Sequence, residues 1–97
     1  MPIFTSVRTG ELQGSATPLQ LPDIPCRMAY IKARDDNAGN VYLGGTVGVT
    51  VPNGTTDATT GYCLSKSESV LLEIGNLNVL YRICDNAGDD LTYIVYG

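Results

Sequence analysis

Residues 26–45 read CRMAYIKARDDNAGNVYLGG, and the rhythm of this stretch decides the fold class. Cys26, Met28 and Tyr30 share one parity, while Arg27, Ala29, Ile31 and Ala33 share the other, which is the two-residue repeat of a β-strand. DDNAGN breaks the repeat with turn-forming residues, and VYLGG resumes it. The letters DNAG return at residues 85–88, again between two apolar runs, LYRIC and DDLTYIVYG. Asp and Asn side chains bond backbone groups two residues on, and Asn and Gly accept left-handed conformations. Both copies are therefore expected to be hairpin corners.

Working outward, TVGVTV at 46–51 alternates Val47, Val49 and Val51 with Thr46, Gly48 and Thr50 and is expected to be a strand. NGTTDATTG at 53–61 is a turn-rich loop whose Asn53-Gly54 can supply positive φ. SVLLEIG places Val70, Leu72 and Ile74 together, LNVLYRI places Leu77, Val79, Tyr81 and Ile83 together, and LTYIVY places Leu91, Tyr93 and Val95 together. Short strands with frequent turns and no helical period predict an all-β fold: a single antiparallel β-sandwich, jelly-roll or immunoglobulin-like. Leu80, Ile94 and Tyr96 add apolar groups on the opposite face of the last two strands. A strand apolar on both faces is central in its sheet or meets another chain. These three residues are the candidate subunit interface.

Residues 1–25 differ in composition, holding four of the five prolines. Pro18, Pro22 and Pro25 remove backbone donors and favour extended chain, so an edge strand at Ile3–Arg8 and an extended arm are expected, with the sandwich domain at 26–97.

The 97 residues suffice for one domain, and 43% hydrophobic against 16% charged residues excludes disorder. A net charge of -4 with scattered Lys and Arg excludes an electrostatic footprint for nucleic acid. No apolar run approaches membrane-spanning length, and no signal-peptide pattern opens the chain. Cys26, Cys63 and Cys84 are odd in number and far apart, which predicts free, buried thiols.

Candidate chemistry is sparse. With no histidine, Ser/His and Cys/His nucleophile arrangements are absent. The calcium reading of DNAG fails on spacing. Counting from Asp35 puts Gly39 fifth and Thr46 twelfth, whereas an EF-hand loop wants glycine sixth and glutamate twelfth. Asp35, Asp36, Asp85, Asp89 and Asp90 are expected to be solvated turn residues. The expectation is no catalytic residue, no metal and no cofactor.

Taken together, LPDIPCRMAYIKARDDNAGNVYLGG, VTVPNGTTDATTGYCLSKSESVLLEI and NLNVLYRICDNAGDDLTYIVYG resemble small virion proteins of tailed bacteriophages over residues 20–97. The resemblance implies a structural protein that coats or completes a phage particle, first of all a capsid decoration (cement) protein. It implies the major capsid protein or other virion proteins as partners, a homo-oligomer (a trimer is expected), and a place in the virion after synthesis in the host cytoplasm. Ile3, Phe4, Leu19, Leu21 and Pro22 are then the candidate contacts of the arm with the shell or an adjacent copy. The rival readings are a head fibre base, a tail component or receptor-binding tip, and a glycan-binding β-module.

Overall fold

The computed structural model describes residues 6–97. Eight strands follow one another: β1 (Val7–Leu12), β2 (Leu19–Gln20), β3 (Met28–Ala33), β4 (Val41–Gly44), β5 (Tyr62–Leu64), β6 (Ser69–Leu72), β7 (Tyr81–Cys84) and β8 (Leu91–Tyr96). A single 3-10 turn at Leu77–Val79 precedes β7. The strands form two antiparallel sheets, ordered β1-β8-β3-β6 and β2-β7-β4-β5. Consecutive strands pair only at β4–β5; every other connection passes from one sheet to the other. Among the described residues no helix is long and apolar enough to cross a membrane.

One core lies between the sheets. β3 contributes Ala29, Ile31 and Ala33 and β8 contributes Leu91 and Val95; Val41, Leu43, Leu64 and Cys84 come from the other sheet. Small residues on β3 let the sheets approach while the larger side chains of β4 and β8 fill the space. Leu21, Ile24 and Leu77 complete the cluster.

The two DNAG loops are not hairpin corners. β3 and β4 lie in different sheets, as do β7 and β8, so each loop is an arch between sheets, and the chain ends in no hairpin. Turn residues suit either connection, and only long-range pairing separates the two. Among the described residues, positive φ occurs at Gly54 and at Ser67, so Asn53-Gly54 turns as expected but neither DNAG copy uses a left-handed residue.

TVGVTV is not a strand. Gly48 N–H bonds Thr46 Oγ1 at 3.1 Å and Val49 N–H bonds the Thr46 carbonyl at 3.1 Å, a local turn that outcompetes the sheet ladder. Val49 is buried, while Val47 is 67% exposed. LNVLYRI also departs from its expected phase. Asn76 caps the 3-10 turn by accepting from Asn78 N–H, so strand alternation starts only after Val79. The inward parity of β7 is then Arg82 and Cys84, both buried, instead of Tyr81 and Ile83.

The proline-rich segment is built into both sheets. Among the described residues the edge strand spans Val7–Leu12 and pairs with β8; residues 3–5 of the expected Ile3–Arg8 lie outside the described residues. Leu19 and Gln20 pair with β7. Cys84 N–H bonds the Ser15 carbonyl at 2.8 Å, Leu21 N–H bonds the Leu80 carbonyl at 3.0 Å, and Arg82 donates to the carbonyls of Gln13 and Gln20. The segment's backbone groups thus find partners on its own domain.

Candidate functional site

Cross-strand register arranges the outer face of the β1-β8-β3-β6 sheet in rows. Val7, Tyr96 and Met28 form the first. Thr9, Ile94, Tyr30 and Leu71 form the second, and Glu11, Thr92, Lys32 and Ser69 the third. The face therefore grades from apolar to charged along the strands. Val7 is 60%, Leu71 50% and Tyr30 39% exposed, so three large apolar side chains share this one outer face. Tyr30 is held by a hydrogen bond from Ser69 Oγ to its hydroxyl at 2.9 Å. A shallow trough of about 460 Å³ runs across the face between Thr9, Tyr30, Lys32 and Ile94.

The charged end is a small ion-pair network. Arg34 reaches Glu11 and Asp36, and Lys32 lies 3.2 Å from Asp35. The Glu11 hydrogen bond, with Asp36 beside it, holds the Arg34 guanidinium above its ordinary value. The Ser67 hydroxyl, and after it Lys32, holds Asp35 below the usual carboxylate value. All these groups are solvated, so they mark a polar rim and add little stability.

On the other sheet the chain covers the outer side of β4. Residues 45–61 fold back so that Val49 packs on Gly44, where any Cβ would lie 2.5 Å from Val49 Cγ2. Gly61 sits against Tyr42 in the same way, and Tyr42 is only 6% exposed despite standing on the outer side of β4. β4 of one sheet thus lies under its own loop, while the flanking strands β1, β3 and β6 of the other turn exposed side chains outward.

The expected site residues are scattered. Ile3 and Phe4 lie outside the described residues. Leu19 is exposed on β2 and Pro22 is half-buried. Leu21 is buried in its own core and offers no surface to a shell or a neighbouring copy. Ile94 and Tyr96 stand on the bare face, but Leu80 does not join them: it packs against the core from the opposite sheet. There it lines an apolar groove of about 200 Å³ with Leu43, Tyr62, Val70 and Leu72. Reading Leu80 with Ile94 treated β7 and β8 as partners, which they are not.

The acidic loops interlock. Asp89, 1% exposed and not the solvated turn residue expected, accepts from Ala38 and Gly39 N–H on one oxygen and from Asn86 N–H and Nδ2 on the other, all at 2.9–3.0 Å. Asn37 and Asp90 exchange two hydrogen bonds at 2.8 and 2.9 Å. Asp85 accepts from Asn40 N–H and from the Tyr42 hydroxyl. Gly39 is glycine for lack of space, since a Cβ would lie 2.7 Å from Asp85 Cβ and 2.8 Å from Asp89 Oδ2. These carboxylates face backbone donors, which is a clasp between arches and the wrong surrounding for a cation. Among the described residues no three His, Cys, Asp or Glu side chains come together to hold a metal ion.

All three cysteines are free, but only Cys26 and Cys84 are buried; Cys63 is exposed on β5. Burial pushes both buried thiols above the ordinary value. The chain matches no protein family, no curated protein and no solved structure.

Proposed function

We propose that this chain is a non-catalytic binding protein that docks the outer face of its β1-β8-β3-β6 sheet onto a protein shell. We read the fold as an eight-stranded jelly roll, a reading supported by the strand orders β1-β8-β3-β6 and β2-β7-β4-β5 and by connections that nearly all cross between sheets. The observation that supports the docking assignment is the outer face of the β1-β8-β3-β6 sheet itself, where Val7, Tyr30 and Leu71 are exposed and Ile94 and Tyr96 lie half-buried between them, while β4 of the other sheet lies under residues 45–61. The resemblance to tailed-phage decoration proteins supplies the kind of shell, a phage head built from its major capsid protein. Leu19 and Pro22, with Ile3 and Phe4, form a second candidate contact.

Jelly rolls serve capsids and lectins alike, so the fold does not choose between them. The composition of the face favours the shell. Valine, leucine, isoleucine and methionine stand beside its tyrosines, which suits the apolar centre of a protein interface better than a sugar platform.

The test is sedimentation with emptied heads of the phage whose genome encodes the chain. Wild-type protein co-pellets, and a Tyr30→Asp/Leu71→Asp double variant, altered only at exposed positions, stays in the supernatant. Equal pelleting of the two, or a chain missing from purified virions, would overturn the reading.

A further inference from the structure

Sheet edges offer unpaired backbone groups, and proteins blunt them with shortness, proline or charge. Three of the four edges here are blunted. β2 has two residues between Pro18 and Pro22, β5 has three, and β6 has four between Glu68 and Glu73. β1 is longer, six residues, VRTGEL, without proline; its charges Arg8 and Glu11 are opposite in sign, and among the described residues nothing pairs with its outer side.

The phase of its ladder is known. Ser6 and Gly97 exchange both hydrogen bonds, N–H to carbonyl at 3.3 and 2.9 Å. Every second residue onward, Arg8, Gly10 and Leu12, therefore turns its backbone groups toward β8. Val7, Thr9 and Glu11 turn theirs away from the molecule.

We propose that a second copy of this chain adds at this edge, β1 antiparallel to β1 about a two-fold axis through Thr9. Val7 then exchanges backbone hydrogen bonds with Glu11 of the second copy, Thr9 with its own twin, and Glu11 with Val7 of the second copy. The sequence selects this register over its neighbours. A slip of two residues one way sets Arg8 against Arg8 and loses a pair. A slip the other way loses a pair, and a further slip sets Glu11 against Glu11. Like charges directly opposite are destabilising, whereas Thr against Thr is favourable. In the central register no charge faces its like.

Such a dimer joins the two bare faces into one continuous surface. A four-strand face of this length covers roughly 400 Å², and two together reach roughly the 800 Å² that each partner gives to a standard interface. The pairing stands independently of what that surface binds. A two-fold closes at two copies, so this edge builds a dimer and not the trimer expected from the resemblance.

The experiment is sedimentation equilibrium of the full chain over a concentration series, alone and without any capsid. Two variants accompany it, Thr9→Pro and Thr9→Asp, each checked for folding by near-ultraviolet circular dichroism. Proline at Thr9 removes an outward N–H and spares the ladder to β8. Aspartate at Thr9 sets two carboxylates against each other on the axis. Wild type should rise to twice the monomer mass, and each folded variant should associate at least about tenfold more weakly. A wild type monomeric at every concentration overturns the dimer, as does a folded variant that associates like wild type. Should Thr9→Pro fail to fold, Thr9→Asp decides, because Thr9 is exposed.

Discussion

Asp89 joins two loops through residues 50 positions apart in the chain, Gly39 and Asp89 itself. Its carboxylate is surrounded by four N–H donors and almost no water, so its replacement strands several buried amides at once. Asp89→Ala should lower the unfolding free energy by about 3 kcal/mol, read from the urea midpoint, while Asp35→Ala on the solvated rim should change it little. The buried thiols give a second residue-level expectation. Cys84 is raised above its ordinary 9.0 by burial, as is Cys26, so the unfolded chain releases these protons at lower pH than the folded one. Their contribution is intact below pH 9.0 and is lost as pH rises through the folded values. Thermal melts should therefore weaken on the alkaline side, and less so in a Cys26→Ala/Cys84→Ala background. In native protein a thiol reagent should label Cys63 quickly and the other two only on unfolding.

At the scale of elements, β1 and the residues after it bind the sheets together. Removing residues 1–25 takes an edge strand from each sheet, Leu21 and Ile24 from the core and the acceptors of Arg82 from Gln13 and Gln20. The truncated chain should lose its cooperative melt, and one that keeps it would show that 26–97 folds alone. Strand positions such as β3 and β8 were legible in the sequence because their alternation is strong and their inward residues are apolar. β7 was not, since its inward positions include Arg82, an arginine whose stem packs while its head reaches backbone carbonyls. Nor could periodicity show that DNAG connects sheets, because a turn motif carries no record of what its flanking strands pair with. The bare face was half legible: Ile94 and Tyr96 stood out as apolar residues of the wrong parity, but Tyr30 and Leu71 became their neighbours only through the register of β3 with β8 and β6. The clasp around Asp89 left no local signal beyond the repeat of four letters.

For the whole molecule, area decides how strongly one copy can hold. A face of roughly 400 Å² is half of what a standard interface takes from each partner, so a lone molecule should bind weakly and exchange. Linked or lattice-arranged copies gain by effective concentration without any new contact. A tandem fusion of two chains should accordingly outlast the single chain on the same shell in a washout assay, and equal residence would show that the single face suffices.

The pairing of β8 between β1 and β3 has one more consequence, for the time course of synthesis. The strand made last of the eight lies between β1 and β3, so β1 emerges from the ribosome long before β8, its neighbour in the sheet, exists. Until residues 91–96 arrive, β1 and β3 have no strand between them and the sheet cannot zip. Closure of such distant pairings is slow, and the waiting edges are open to other chains. Crowded synthesis of many copies at once would make that interval the moment when this small protein most readily goes astray.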